Sequence, residues 1–502
     1  MATRATVNRQ VRGFAVMWTL ITFVIGAATF FGIYLTYNAG GGEPSRGAVA
    51  IIATLPPTRA VALATSVPTA VQPTRPPTTE PMPTEEAAEE DAAAPADAAD
   101  GEGEEAAAED SDAEAAVAQA VEEPTVEPTA TALPVEDTDY QVGIQAQLAY
   151  APAEAELWAN DVANLGLGWV KHQVRWEAIE PVQGEINEGE FGRLAMTLDA
   201  DAAKGLKVLL SVVTAPDWAR EPGVSVESEG PPANPQDYAD FVVSLLEEFP
   251  GKIHAIEVWN EMNIDREWLS VEGLSPANYV ELLLVTYEAV RAVDPGIIIV
   301  TGALSPTGGL NQGGIDRAID DFVFLEALVN AGMLDYADCV GAHHNGYNIS
   351  PSVTWDNVPE DSTAQFRGPF DNAHHSWSFR STLQTYANIA RQVDPDMRLC
   401  VTEFGWATME GLGEGYPQNF EFALDNTLEE QAEWTIEALN NMEEWDIVWL
   451  AFIWNLNYGP QTNFDTSNDN TPYSIIGLNY SRRPVFDAII AWNAERREST
   501  GQ

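Results

Sequence analysis

From residue 140 onward, short runs of β-branched and apolar residues alternate with longer stretches whose apolar positions return every three to four residues. The short runs occupy 142–148, 169–174, 207–213, 253–259, 297–301, 339–342, 399–402 and 447–453, and between them lie helical patterns at 153–165, 235–249, 276–293, 380–393 and 428–445. Several of the helical stretches open with proline or an acidic residue in the first turn, as helix starts prefer. Strand–helix alternation of this kind predicts βα units around a parallel sheet. Eight units predict a closed (β/α)8 TIM barrel rather than an open doubly wound sheet, and no Gly-rich phosphate fingerprint comes after the first run. A single barrel with long loops accommodates the whole of residues 139–502.

The pattern ahead of residue 139 is different in kind. From Gly13 to Tyr37 no side chain is charged, a run long enough to cross a hydrocarbon core of ~30 Å. Arg4, Arg9 and Arg12 precede it and acidic sequence comes after it, so the positive-inside rule places residues 1–12 in the cytoplasm, a transmembrane anchor at 13–37 and everything later outside. A cleaved signal peptide is the rival reading, although its apolar region is usually only about 7 to 15 residues. Between Ala39 and Asp137 there is no Phe, Trp, Tyr, Cys or Lys. Such a segment buries too little apolar surface to offset its chain entropy, and 38–138 is expected to be a disordered linker. Its Pro-Thr pairs, Pro57-Thr58 and Pro68-Thr69 among them, favour extended conformations.

Charge narrows the partners. With 77 acidic against 24 basic residues and a net charge of −53, the chain repels nucleic acid and anionic membrane surfaces. Two cysteines, Cys339 and Cys400, are too few for a disulfide scaffold; each opens an apolar run, as a buried small hydrophobe would. One disulfide remains open if those runs are neighbouring strands.

In a barrel, chemistry sits at the C-terminal ends of the strands. The residues just past those ends are Arg175, Trp218, Asn260 with Glu261, His343 with His344, Glu403, and Trp454 with Asn455. Carboxylates, aromatic rings and polar donors on one face suit a sugar, whose CH-rich faces stack on rings while its hydroxyls need partners.

The stretch Ile256-Glu257-Val258-Trp259-Asn260-Glu261-Met262-Asn263 resembles the strand-four motif of the clan A (β/α)8 glycoside hydrolases, nearest the β-xylosidase and α-iduronidase family, with the cellulase-like family second. Leu399-Cys400-Val401-Thr402-Glu403-Phe404-Gly405-Trp406 is similar to the clan's strand-seven segment. The resemblance implies Glu261 as general acid/base, Glu403 as nucleophile, Asn260 as holder of a sugar hydroxyl and Trp454 as the aromatic floor. Trp406, in a predicted βα loop, is a further candidate sugar contact, with packing of the loop onto the barrel as the alternative. His343 fits the strand-six pattern. Asn345 stands where that pattern has tyrosine, and Tyr347 is the candidate substitute. The strand-two cation is either Lys171 or Arg175, which share one face, and Met262 replaces a common proline. The resemblance implies a retaining O-glycosyl hydrolase acting on β-linked oligo- or polysaccharides, with no cofactor and no metal.

Two other readings stand beside it. A barrel that binds carbohydrate without turnover is motivated by Asn345 and the tethered architecture. A metal-dependent hydrolase is motivated by His343-His344 and His374-His375, although these lack an HExxH-type scaffold. Glu257 alternates to the same side as Glu261 and reads as a structural carboxylate paired with the strand-two cation.

Overall fold

A computed structural model describes residues 139–500, apart from 363, 365 and 367–372. Eight parallel strands form its centre: β1 Gln141–Gln145, β2 Trp169–Arg175, β3 Lys207–Val213, β4 Ala255–Val258, β5 Ile298–Thr301, β6 Val340–Gly346, β7 Leu399–Trp406 and β8 Val448–Ile453. They stand in the order β5-β4-β3-β2-β1-β8-β7-β6. The ring closes between β5 and β6, where Val300 bridges Cys339 and Leu304 bridges Ala342. At that seam the Gly341 N–H donates to Thr301 Oγ1 at 2.8 Å. A Cβ at Gly341 would stand 2.0 Å from the Thr301 carbonyl oxygen, so only glycine lets the two strands meet. Closure leaves this sheet without an unpaired edge.

Strand alternation sorts the side chains into two cores. Val170, Val208, Leu210, Val212, Ile256 and Val258 face outward and pack beneath the surrounding helices. Trp169, Leu209, Ala255, Ile298, Leu450 and Phe452 face inward and plug the lower half of the barrel. Each such fully buried aliphatic side chain contributes roughly 1.5 to 3 kcal/mol. Above the plug the inward residues change character: Gln145, Lys171, Ser211, Glu257 and His343 are all buried. Cys339 and Cys400 lie in the apolar plug and are joined by a disulfide with a Cα–Cα distance of 5.8 Å, which settles the alternative left by the sequence.

The anticipated helices form at Pro152–Leu165, Pro235–Glu248, Pro276–Val293, Phe379–Arg391 and Leu428–Trp445. Asn234 and Ser275 cap two of them ahead of a proline, and Thr427 with Glu430 makes a capping box on the last, each satisfying N–H groups that have no partner within the helix. Three further long helices form at Glu188–Ala203, Asp321–Asn330 and Pro484–Thr500, with short helical turns at Trp176–Ile179 and Tyr458–Gln461, and two antiparallel pairs join Leu310–Gln312 to Ile315–Ala318 and Ile476–Gly477 to Ser481–Arg482. β6 and β7 run past the bounds expected from their apolar content, because they pair with each other through His343↔Glu403 to Gly346↔Trp406. Among the described residues no helix is long and apolar enough to cross a membrane. The anchor expected at 13–37 and the linker at 38–138 lie outside the described residues.

Candidate active site

The end of β4 is held in an uncommon backbone conformation. Trp259 and Glu261 have φ of 74° and 39°, values that cost a non-glycine residue of order 1–3 kcal/mol and persist only where the surroundings impose them. Here they do. The Trp259 N–H donates to the Val212 carbonyl at 3.2 Å, its indole N–H donates to the Glu267 carbonyl at 3.0 Å, and the Glu261 N–H donates to the Ala303 carbonyl at 2.8 Å. The result turns the Asn260 and Glu261 side chains into a cavity of about 540 Å³ at the C-terminal mouth of the barrel, which Glu403, Trp454, Gln173 and Arg266 also line.

Beneath that cavity one cation holds two carboxylates. Lys171, fully buried, lies 2.9 Å from Glu257 Oε2 and 3.2 Å from Glu403 Oε1. Burial alone would lower the ammonium pKa, but the facing charges of Glu257 and Glu403 outweigh it and raise it. Burial likewise pushes Glu257 up, while Lys171 and His343 pull it below the usual carboxylate range; Thr402 Oγ1 donates to its other oxygen at 2.6 Å.

His343 connects the two cavity glutamates. Its Nδ1 is 3.2 Å from Glu261 Oε1 and 3.8 Å from Glu403 Oε2. Arg266 Nη2 reaches Glu261 Oε2 at 3.1 Å. Burial opposes charge on Glu261, but the His343 hydrogen bond and charge, with Arg266, depress its pKa to about 2. His343 is correspondingly raised, by the Glu403 charge and the Glu261 hydrogen bond, against its own burial. The 3.2 Å contact thus works on both groups, lowering the Glu261 pKa and raising that of His343.

Of the residues singled out from sequence, Glu261, Glu403, Asn260, Lys171, His343 and Trp454 converge here. Three do not. Arg175, at the exposed end of β2, pairs with Glu177 at 2.6 Å and Glu229 at 2.6 Å instead of Glu403; the alternation that puts it on the same face as Lys171 also carries it two steps nearer the rim, roughly 13 Å along the strand. Trp406 falls on the pleat opposite Glu403, where it is buried against Trp434 and Phe379 and donates to the Ile349 carbonyl at 3.0 Å. Tyr347 packs on Phe422 and Trp377, with ring centroids 4.9 and 5.4 Å away, and is not in the cavity lining. Of the histidines that motivated a metal reading, His344 is buried with Nε2 on the Ser376 carbonyl, and burial lowers its pKa to about 4.

Several lining residues fall outside the sequence expectations. Tyr458 and Tyr473, beyond β8, line the cavity, and the Glu403 charge adds to the burial that raises their pKa values. Glu267 is pushed up to about 8 by burial and by the charges of Glu261 and Glu229, and is hydrogen-bonded to Asn260. Arg266 and Glu267 lie in the same turn as the strand-four motif, so their proximity to Glu261 was the available signal; Tyr458 and Tyr473 carried none. Six carboxyl groups line the cavity against one guanidinium, that of Arg266.

No family model matches the chain, and no curated protein matches it in sequence. Solved structures do match. A family 39 glycoside hydrolase from the gut symbiont Bacteroides cellulosilyticus WH2 superposes with a TM-score of 0.52 at 16% identity, over 71% of this chain and 64% of that one. A variant of the GH5_18 enzyme from Streptomyces cattleya in complex with Manβ1-4GlcNAc gives 0.50 at 14% identity, over 72% of this chain and 82% of that one. The chain thus spans less than two thirds of the first of these. What these likenesses show is a shared fold, the parallel eight-stranded barrel.

Proposed function

We propose that the chain is a retaining glycoside hydrolase, acting on β-linked oligo- or polysaccharides by double displacement with Glu403 as nucleophile and Glu261 as acid/base. The observation that carries this reading is the placement of the two carboxylates, from β4 and β7, on one His343 nitrogen at 3.2 and 3.8 Å. Their nearest oxygens are no farther apart than those distances laid end to end. That bound excludes most of the roughly 6.5 to 9.5 Å range of inverting enzymes and accommodates the 5 to 5.5 Å or so of retaining ones.

The chemistry is set by the charges. Glu403, with Lys171 at one oxygen, attacks the anomeric carbon as a carboxylate. The glycosidic C–O bond breaks, and the leaving oxygen takes a proton from Glu261, which receives it from His343 as the arriving sugar displaces Arg266. Esterification removes the Glu403 charge; Glu261, again an anion, then deprotonates the water that releases the sugar. Asn260 and Trp454 supply a hydroxyl partner and an apolar floor. The excess of carboxyl groups favours neutral or basic sugars over uronates.

We also place the barrel outside the cell membrane, tethered by residues 13–37. The Cys339–Cys400 disulfide supports an oxidising compartment. Protease treatment of intact cells should release a barrel-sized fragment; recovery of the barrel in the cytosol, or of a mature chain starting near Gly40, refutes the tether.

The deciding experiment is proton NMR of the anomeric configuration during hydrolysis of an aryl β-glycoside, with a 2-deoxy-2-fluoro glycoside to trap the intermediate. Retention and a label on Glu403 are expected. Inversion, or a label elsewhere, overturns the mechanism, and saturable sugar binding with no turnover selects the binding-only alternative.

A further inference from the structure

Outside the catalytic cavity, a cluster of metal-ligating side chains joins two of the loops that wall the barrel mouth. Asp320 begins the helix Asp321–Asn330, after β5, and His374 and His375 precede the helix Phe379–Arg391, after β6. Asp320 Oδ2 lies 3.2 Å from His374 Nε2 and 3.1 Å from His375 Nε2, and the three donor atoms all lie within 4.8 Å of one another. None of the three residues lines the catalytic cavity.

We infer that Asp320, His374 and His375 form a binding site for a divalent transition ion, zinc or a metal of similar preference, that clamps the β5 and β6 loops together. The donor set, two imidazoles and one carboxylate, is one that zinc takes. Bonds of about 2.0 to 2.1 Å in a tetrahedron place neighbouring donor atoms roughly 3.3 Å apart; the two spacings from Asp320 Oδ2, 3.2 and 3.1 Å, match this, and the two imidazole nitrogens, within 4.8 Å of each other, close on the ion, with water as fourth ligand. The other oxygen of Asp320 is already committed, accepting from the Phe322 and Val323 N–H groups at 3.0 and 3.1 Å, which fixes the carboxylate and aims Oδ2 at the two rings.

The surroundings fit metal-bound imidazoles. A histidine that ligates through Nε2 carries its proton on Nδ1 and hands it to a second group. His374 Nδ1 accepts from the Ser376 N–H at 3.3 Å; ligation through Nε2 moves the ring proton to Nδ1 and exchanges that contact for donation to Ser376 Oγ, 2.9 Å away. For His375 the facing group is the Asp321 carboxylate: Nδ1 is buried without a hydrogen-bond partner, and Asp321 Oδ1 lies 3.9 Å from it. The His375 ring is further held by stacking on Phe322 at 3.4 Å between centroids. Such an ion is structural and takes no part in the sugar chemistry, so the site stands whether or not the barrel is a glycosidase.

The test uses the full-length chain, stripped with a chelator and titrated with zinc by calorimetry, and with cobalt(II) for its visible absorption. One equivalent should bind, raise the melting temperature and give an intense cobalt spectrum. His374→Gln, which leaves the Phe322 stack intact, and Asp320→Asn, which keeps an oxygen for the helix cap, should each weaken binding by ~10-fold or more, with far-ultraviolet circular dichroism unchanged. Absence of stoichiometric binding by the unmodified chain overturns the assignment, as does zinc affinity that neither substitution alters.

Discussion

Lys171 is the side chain on which the charge balance of this barrel turns, and replacing it with methionine tests the account most directly. The substitution keeps the length of the stem and removes the charge, leaving Glu257 with no exposure and Glu403 with little, where an ammonium had stood at 2.9 and 3.2 Å. Breaking a buried pair by deleting one partner costs about 3 to 5 kcal/mol. At roughly 2.1 cal/mol/K per residue over roughly 360 residues, the unfolding entropy is about 0.75 kcal/mol/K, so the melting temperature should fall by ~4 to 7 °C. The pH dependence is diagnostic. In the unmodified protein Lys171 has a raised pKa, so its contribution is complete below the unfolded value of about 10.4 and is lost only as pH climbs through the folded one. Glu257 has a lowered pKa, so its contribution is complete above about 4.3 and is lost as pH falls through the folded value. Stability from this pair is therefore flat across neutral pH. In Lys171→Met the largest charge opposing burial is gone and only His343 and the Thr402 hydrogen bond remain against it, so the Glu257 pKa rises and the deficit should grow as pH increases above about 4.3. Adding Glu257→Gln, whose amide oxygen still accepts from Thr402, should recover most of the loss. Calorimetric melts from pH 4.5 to 8 read all three quantities. A Lys171→Met protein that melts within a degree of the parent at pH 7, or with a deficit independent of pH, refutes the reasoning.

Glu403→Ala should abolish turnover, whereas Glu261→Ala should retain activity on aryl glycosides with good leaving groups and regain rate with azide, checked by release of the aryl group. His343→Gln should bring down the alkaline limb of the kcat/KM profile: His343 has a raised pKa, so the transferable proton is present at low pH and lost as pH rises through that value, and an amide cannot hold it. Truncation to residues 139–502 should leave kcat unchanged and a single cooperative melt, because residues 39–137 hold no aromatic side chain. Replacing Cys339 and Cys400 by alanine opens a loop with a sequence separation of 61, and the melting curve should report a loss of about 4 kcal/mol.

The barrel was legible because its signal is periodic. Runs of β-branched residues recur with helical stretches between them, and every strand from β1 to β8 overlaps an expected run. What the pattern misjudged were ends. β1 stops at Gln145, and β6 and β7 continue through His343-His344-Asn345-Gly346 and Glu403-Phe404-Gly405-Trp406, where polar residues and glycine carry no strand propensity and backbone pairing between the two strands decides. The hairpin of Leu310–Gln312 and Ile315–Ala318 is mostly exposed, so it left no hydrophobic pattern to read.

The site was legible to the depth at which strand register determines position. Glu261 comes just past the end of β4 and Glu403 on the inward pleat of β7, and Lys171 against Arg175 is a question of height on one face: two steps of the pleat separate a buried cation beneath both glutamates from an exposed one paired with Glu177 and Glu229. Trp406 failed the same test, since an odd number of steps along the strand from Glu403 places it on the outer pleat. Residues that reach the cavity from loops obey no such register. Arg266 folds back on Glu261 because the turn after β4 is fixed by Asn263, whose amide donates to the Ser305 and Ile319 carbonyls at 2.8 and 3.1 Å, so a contact five residues along the chain depends on bonds to segments more than forty residues away. That arrangement also changes the proton inventory expected from the motif alone. Two neighbouring glutamates alone would push the Glu261 pKa up, but His343 and Arg266 outweigh burial and lower it to about 2. Under the mechanism we propose, the leaving-group proton is drawn from the His343–Glu261 pair as a unit, so a His343→Gln protein whose kcat/KM profile matches the parent's would remove the imidazole from that role.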